Sequence, residues 1–375
     1  MNRRYTVSII EGLRKHGYTV DESMVDTYTT LLEKYDSIVK TMNLLWWMPT
    51  PVAKEILPDD EQLTKAADND DVAVVVLQRL SGEGIDRTAA DFNLSGTERQ
   101  LLVNTAKAFH AKGKKMVVVL NVGGVVETES WKDIPDAILL PWQPGQEVGN
   151  SVAAILAGKL TPSGKLPMTW PVRYQDAASS ANFPSDASDY SVEGDQSKYK
   201  NRRNYGYTVY DEDIYVGYRY FDSFNKDVSY PFGYGLSYTT FAYSDVTAKA
   251  DNGKVTVSVT ITNNGKRAGK EVAEVYVTAP KGIVDKPAQE LKAFAKTRTL
   301  QPGESETLTM DIDRRDLASF VTKKSAWVGD AGTYTFKVGA SSRDIKGSAS
   351  VRIGSYTEKV HDVLKPTMKM NLLKR

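Results

Sequence analysis

Glu83 is the residue of this chain best placed for proton-transfer chemistry. It lies between Gly82 and Gly84 in the peptide Leu80-Ser-Gly-Glu-Gly-Ile-Asp-Arg87, directly after the apolar run Asp71-Val-Ala-Val-Val-Val-Leu77. That run suits a strand covered on both faces. In open α/β sheets, functional groups gather in loops beyond the carboxyl ends of parallel strands. Flanking glycines open backbone dihedrals closed to other residues and leave the side chain uncrowded. A carboxyl held there with a raised pKa could protonate a leaving-group oxygen. The residues alone leave a second reading open, a solvated loop glutamate that caps a turn, because Gly-Glu-Gly is too short to be specific.

Other chemistries find little material. The 375 residues include no cysteine, which removes disulfides and thiolate metal sites. The three histidines, His16, His110 and His361, are far apart in sequence, which argues against a histidine metal centre or a Ser-His triad. Charged residues make up 25% of the chain with a net charge of +1, and Lys and Arg are interspersed with Asp and Glu. No nucleic-acid partner is expected from that balance. The apolar run at 7–10 is too short for a signal-peptide core, and no stretch approaches membrane-spanning length. No membrane association and a cytoplasmic location are therefore expected. No cofactor is expected either: Asn121-Val-Gly-Gly124 follows a strand but lacks both G-x-G-x-x-G and a P-loop lysine.

The elements that must position Glu83 are legible in the first 160 residues. The pattern predicts a helix over 6–15 ended at Gly17, a short strand at 18–20, and a helix from an Asp21 cap to about residue 40. After the strand at 71–77, Ser95 with Glu98 three residues on is a capping-box pattern that opens a helix to Ala111. Apolar strands at 115–120 and 137–140 follow, then a helix from Gln143-Pro-Gly-Gln-Glu147 to about Gly158. Strand and helix in alternation predict an α/β domain with a parallel sheet. Residues 171–240 read as a long, loop-rich connection dominated by Pro, Ser, Asp and Tyr. Lys254-Val-Thr-Val-Ser-Val-Thr-Ile-Thr262 alternates with period two before the turn Asn263-Asn-Gly265, and further strands are expected at 272–278, 307–312 and 333–338. Roughly seven short strands predict an immunoglobulin-like, all-β sandwich. The expected domains are 1–170, the connection 171–240, a sandwich over 241–355, and a tail over 356–375 without sandwich pattern.

Several peptides also resemble a known family. Arg79-Leu-Ser-Gly-Glu-Gly-Ile-Asp-Arg87 with Asp91-Phe-Asn-Leu-Ser95 is similar to the second-domain signature of family 3 glycoside hydrolases of the β-glucosidase type. The similarity continues through Trp142-Gln-Pro-Gly-Gln-Glu147, Pro162-Ser-Gly-Lys-Leu-Pro167, Tyr215-Val-Gly-Tyr-Arg-Tyr-Phe221, Pro231-Phe-Gly-Tyr-Gly-Leu-Ser-Tyr238, Ala268-Gly-Lys-Glu-Val272 and Val338-Gly-Ala-Ser-Ser342. The resemblance implies a three-part enzyme of TIM-like barrel, α/β sandwich and fibronectin type III-like domain. It would hydrolyse terminal β-D-glucosyl residues of β-glucosides or oligosaccharides with retention. An aspartate on the barrel would be the nucleophile, and a glutamate on an α/β-domain loop would act as acid and then base. By motif position that glutamate is Glu83.

The chain departs from this pattern at its start. A barrel of roughly 250 residues, and the first strand expected before the helix at Thr6, are not in it. The expectation is a piece of a longer polypeptide, or one product of a split gene, that supplies the acid/base and is inactive alone. The alternative is a non-catalytic accessory or assembly module that docks to a separate barrel chain; self-association is left open. Ser188-Asp-Tyr190 is the nearest string to a Ser-Asp-Trp nucleophile motif, but Asp189 follows no barrel strand and is not assigned that role. Trp46 and Trp47 read as core or interface rather than a sugar platform, and Glu147 as a partner of a helix dipole. Arg79 and Arg87 are expected to pair with Asp86 and Asp91 and so hold the loop's shape. The tyrosines of 215–220 are expected to pack the connection against the two domains.

Overall fold

In a computed structural model, which describes residues 5–42, 53–79, 87–181, 210–251, 253–364 and 372–375, helices begin where the sequence supplies caps. α1 (Ile9–Lys15) opens on a reciprocal Ser8/Glu11 box, and α2 (Glu22–Lys40) on the Asp21 carboxylate. α3 (Asp60–Asn69) opens on an Asp59/Gln62 box and α4 (Gly96–Ala111) on the Ser95/Glu98 box. Each box satisfies backbone N–H groups that the first helical turn leaves without a partner. Ser95→Ala should lower the stability of this unit by about 1 kcal/mol, read as a shifted urea midpoint. An unmoved midpoint would show that the box contributes nothing.

The chain divides into two compact units, 1–160 and 161–375. In the first, β1 (Val72–Arg79), β2 (Lys115–Val122) and β3 (Ala137–Leu139) form a parallel sheet in that order, Val75 opposite Val118 and Val118 opposite Ile138. The central β2 carries the dense core, with Met116, Val118 and Val119 fully buried. β1 was expected to be covered on both faces; it instead lies at the edge of the described sheet, and Val76 is 38% exposed. Tyr18, Thr19 and Val20 form no strand, because the chain runs directly from the Gly17 turn into the Asp21 cap. α5 (Val148–Leu156) packs on α1 through two glycines: a Cβ on Gly12 would stand 2.0 Å from the Gly149 carbonyl oxygen.

In the second unit the connection folds with the sandwich. β4 (Trp170–Pro171) pairs with β5 (Val228–Tyr230), and α6 (Tyr218–Ser223) lies between them in sequence. Ten strands follow: β6 (Phe241–Asp251), β7 (Lys254–Asn263), β8 (Val272–Thr278), β9 (Glu290–Lys296), β10 (Ser305–Asp313), β11 (Ser319–Val321), β12 (Ala326–Gly329), β13 (Gly332–Ser341), β14 (Asp344–Ile353) and β15 (Tyr356–Lys359). They are arranged as antiparallel sheets β10-β7-β6, β14-β13-β8-β9 and β11-β12-β15. The period-two pattern of β7 sends Val255, Val257, Val259 and Ile261 into the core, where they meet Val275, Phe336 and Val338. The stretch after Ile353 was expected to lack sandwich structure, yet β15 pairs with β12, Trp327 opposite Glu358.

β8 shows why the connection belongs here. Ala273, Val275 and Val277 face the core, so Glu274 and Tyr276 should face water, yet they are 5% and 0% exposed. The Tyr218 ring packs on Tyr276 at 5.8 Å and on Phe232 at 4.8 Å, and the Tyr218 hydroxyl accepts the Leu291 N–H at 2.7 Å. Gly233, at φ +82, lies so close that a Cβ there would stand 2.1 Å from a Glu274 carboxylate oxygen. Arg343, in the turn between β13 and β14, donates to the Asp222 carboxylate at 2.8 Å and to the Lys226 carbonyl at 2.7 Å. Of the packing expected of the 215–220 tyrosines against two domains, the contacts of Tyr218 with β8 and β9 are the part seen, on the sandwich.

Candidate active-site frame

Glu83 and Asp86 lie outside the described residues, as do Trp46, Trp47 and Ser188-Asp-Tyr190. The residues that flank 80–86 are described, and their chemistry is that of a clamp. Arg79, the last residue of β1, donates from Nε to the Asp91 carbonyl at 3.0 Å and from Nη2 to the Asn93 carbonyl at 2.9 Å. Its Nη1 and Nη2 also reach Glu98 Oε1 and Oε2 at 2.6 and 3.0 Å, a bidentate ion pair with both side chains largely buried. Two parallel N–H···O bonds fix the guanidinium plane as well as its position. Arg87, the first residue beyond the segment, donates to the same Asp91 carbonyl at 2.6 Å and to the Val125 carbonyl at 3.1 Å. One acceptor therefore holds the residues on both sides of 80–86.

The acceptor is itself held. Thr88 donates its N–H and hydroxyl to the Asp91 carboxylate at 2.9 and 2.8 Å, which keeps that carboxyl below the usual carboxylate range. Burial pushes the Glu98 carboxyl up, but the Arg79 guanidinium and the Ser95 N–H more than reverse this and hold it low. The loop after β2 is tied in as well: the Glu127 N–H donates to the Phe92 carbonyl at 2.7 Å, and Glu127's carboxylate accepts from Ser130. All of this lies beyond the carboxyl ends of β1 and β2, the edge where α/β sheets carry function.

The expected role of the arginines in holding the loop's shape concerns residues 80–86, outside the described ones; on the described side their bonds differ from the expected pairing with the Asp91 carboxylate. Arg79's counter-ion is Glu98, and both arginines use the main-chain oxygen of Asp91 rather than its carboxylate. Glu98 was visible as a cap; its second bond, across to β1, had no local signal. Glu147 accepts from the Tyr5 hydroxyl and from Asn150 Nδ2 and makes no side-chain bond to the backbone of α5. Trp142, just past β3, holds a left-handed φ of +57, a conformation that strains a bulky side chain. Among the described residues no group of three or more His, Cys, Asp or Glu could hold a metal ion, and no helix is long and apolar enough to cross a membrane. A hollow of about 580 Å³ lined by Asp60, Glu61, Thr64, Lys65, Asp68 and Asn69 is the solvated face of α3, remote in sequence from the clamp.

Comparison with known proteins agrees with this architecture. Residues 1–238 match the glycosyl hydrolase family 3 C-terminal domain, and residues 271–342 a fibronectin type III-like domain. β-Glucosidase A of Butyrivibrio fibrisolvens is 36% identical over 91% of this chain and 44% of its own length. An exo-α-(1→6)-L-arabinopyranosidase of Bifidobacterium longum is 34% identical over 78% of this chain and 36% of its own. The structure of β-glucosidase 3B from Thermotoga neapolitana in complex with α-D-glucose superposes with a TM-score of 0.85 at 44% identity, covering 96% of this chain and 48% of that one. The chain spans about half the length of the relatives it matches, or less. With its α/β unit matched along its whole length and its sandwich matched in the same order, the chain belongs to glycosyl hydrolase family 3.

Proposed function

We infer that this chain supplies the general acid/base of a retaining β-glucosidase, with Glu83 in that role and the nucleophilic aspartate on a barrel domain. The observation that carries the reading is the double-arginine clamp, which anchors both flanks of 80–86 to one carbonyl at the carboxyl edge of the sheet. A proton donor must be held within hydrogen-bond reach of the oxygen it serves, and a clamped loop base supports that precision. In the first step the Glu83 carboxyl gives its proton to the glycosidic oxygen while the aspartate attacks the anomeric carbon and the aglycone leaves as an alcohol. In the second, the Glu83 carboxylate takes a proton from water, whose oxygen displaces the aspartate and releases the sugar. Retention requires the two carboxyls about 5–5.5 Å apart.

In a polypeptide that also carries the barrel, Glu83→Gln should lower turnover of poorly activated glucosides at least about a hundredfold, with azide partly rescuing activated aryl glucosides. Unchanged kinetics would remove Glu83 from the role. The chain alone should show negligible turnover of p-nitrophenyl β-D-glucoside, and clear turnover would overturn the division of labour. The same assay run on p-nitrophenyl α-L-arabinopyranoside distinguishes the two sugar classes named among the relatives. A second reading, a non-catalytic module that docks to a separate barrel chain, is favoured by the half-length match to relatives. It requires that a supplied barrel bind this chain without gaining turnover.

A further inference from the structure

One oxygen of a buried carboxyl in the second unit has no hydrogen-bond partner among the described residues. It is Oε2 of Glu212, a residue 6% exposed. An ionised group buried without a counter-charge is costly, and proteins pair such groups as a rule. The local backbone puts it there: the Asp213 N–H donates to the Tyr210 carbonyl and the Tyr215 N–H to the Glu212 carbonyl, with Asp213 at φ +51. This turn leaves Asp213 exposed and Glu212 buried. Glu212 lines a pocket of about 250 Å³ together with Ala178, Asp211, Tyr220 and Leu373. The C-terminal residues form one wall, the Leu373 N–H donating to the Asp211 carbonyl at 2.7 Å. Among the described residues two acidic side chains line the pocket and no basic one does.

We propose that this pocket is a binding site for an organic cation, an alkylammonium or guanidinium group, with Glu212 as its counter-ion. Two carboxylates fall short of the six to eight oxygens a calcium ion takes, and no third acid, His or Cys joins them among the described residues. Ala178 and Leu373 instead offer apolar walls for an alkyl stem, and the Tyr220 ring offers a face to a cation. The same chemistry could arrive as a small free amine or as the Lys or Arg side chain of another polypeptide segment. The site is independent of the acid/base assignment.

Thermal unfolding of the chain tests this, with propylammonium chloride, N-acetyl-arginine methylamide and N-acetyl-lysine methylamide as probes against sodium chloride and calcium chloride at equal ionic strength. A ligand that binds the folded state raises Tm with concentration. Wild type should gain several degrees over the sodium chloride control. Glu212→Gln removes the counter-ion and should show at least a threefold weaker response. Asp211→Asn gives a second reading of the same charge and should weaken the response in the same direction. A response to the capped amino acids alone identifies a polypeptide side chain as the source, and a response to propylammonium alone a free amine. No shift beyond sodium chloride, a shift in both variants as large as in wild type, or a shift with calcium alone would overturn the proposal.

Discussion

Arg79→Ala should destabilise the first unit by about 3–5 kcal/mol at neutral pH. The substitution leaves Glu98 charged with its side chain 11% exposed, and removes the donor from the carbonyls of Gln78, Asp91 and Asn93. Glu98 sits below the ordinary carboxylate range when folded, so its stabilising contribution is present above the unfolded carboxyl pKa and is lost as pH falls through the folded value. The cost of Arg79→Ala should accordingly shrink in acid, where Glu98 protonates. Urea unfolding at pH 7 and pH 4 measures both. The double variant with Glu98→Ala should cost less than the sum of the two single ones, because the stranded charge is gone. A loss below about 1 kcal/mol at pH 7 would mean that the pair behaves as a surface bridge and that the clamp lacks the stiffness assigned to it.

The second large effect concerns Glu274 and reverses the usual sign for a carboxylate. Burial pushes this carboxyl up to about 7, against the opposing pull of the Tyr276 hydroxyl at 2.6 Å and of Lys165, while Glu271 pushes the same way as burial. Lys165 is partly occupied by its own ion pair with Glu271 at 3.0 Å. With the folded pKa above the unfolded one, the native state holds the extra proton between about pH 4.5 and 7, so stability falls as pH rises through that window. At about 1.4 kcal/mol per pKa unit, the total is about 3 kcal/mol. Glu274→Gln keeps an acceptor for Tyr276 and removes the ionisation. It should be near neutral at pH 5, stabilise the second unit by a few kcal/mol at pH 8, and flatten the pH dependence. A variant equally stable relative to wild type at both pH values would show that Glu274 titrates as an ordinary carboxyl.

What could be read from residues alone was local. The Ser95/Glu98 box opened α4 where expected, and the strict alternation of Val255, Val257, Val259 and Ile261 gave β7 its inward face. α3 escaped notice although Asp59 and Gln62 form the same kind of box over a buried Leu63, Ala66 and Ala67, because its remaining residues are polar and its apolar stripe narrow. β15 escaped because Tyr-Thr-Glu-Lys has no core-facing apolar pair; it is held by cross-strand bonds to β12. At the site, the loop carboxyl and its arginines stood out by type and spacing. Their partners did not: Glu98 lies 19 residues from Arg79, and Val125 lies 38 from Arg87. Main-chain acceptors such as the Asp91 carbonyl carry no side-chain signature at all. Family resemblance pointed to the motifs around Gly233 and Arg343, but their physical purpose, covering Glu274 and clasping α6, needed coordinates.

The stitching of residues 161–181 and 210–240 onto β8 and the β13–β14 turn has a consequence for how such genes are cut and recombined. The Leu166 N–H donates to the Tyr234 carbonyl, the Gly233 N–H to the Leu166 carbonyl, and the Ser342 N–H to the Phe232 carbonyl. A gene fragment starting at codon 241 would strip Tyr276 and Glu274 of their cover and leave a tacky, half-charged stripe on an otherwise ordinary barrel-less β-module. The exchangeable cassette begins at codon 161, and swaps between homologues at that seam should yield well-behaved protein where swaps at 241 should yield aggregates.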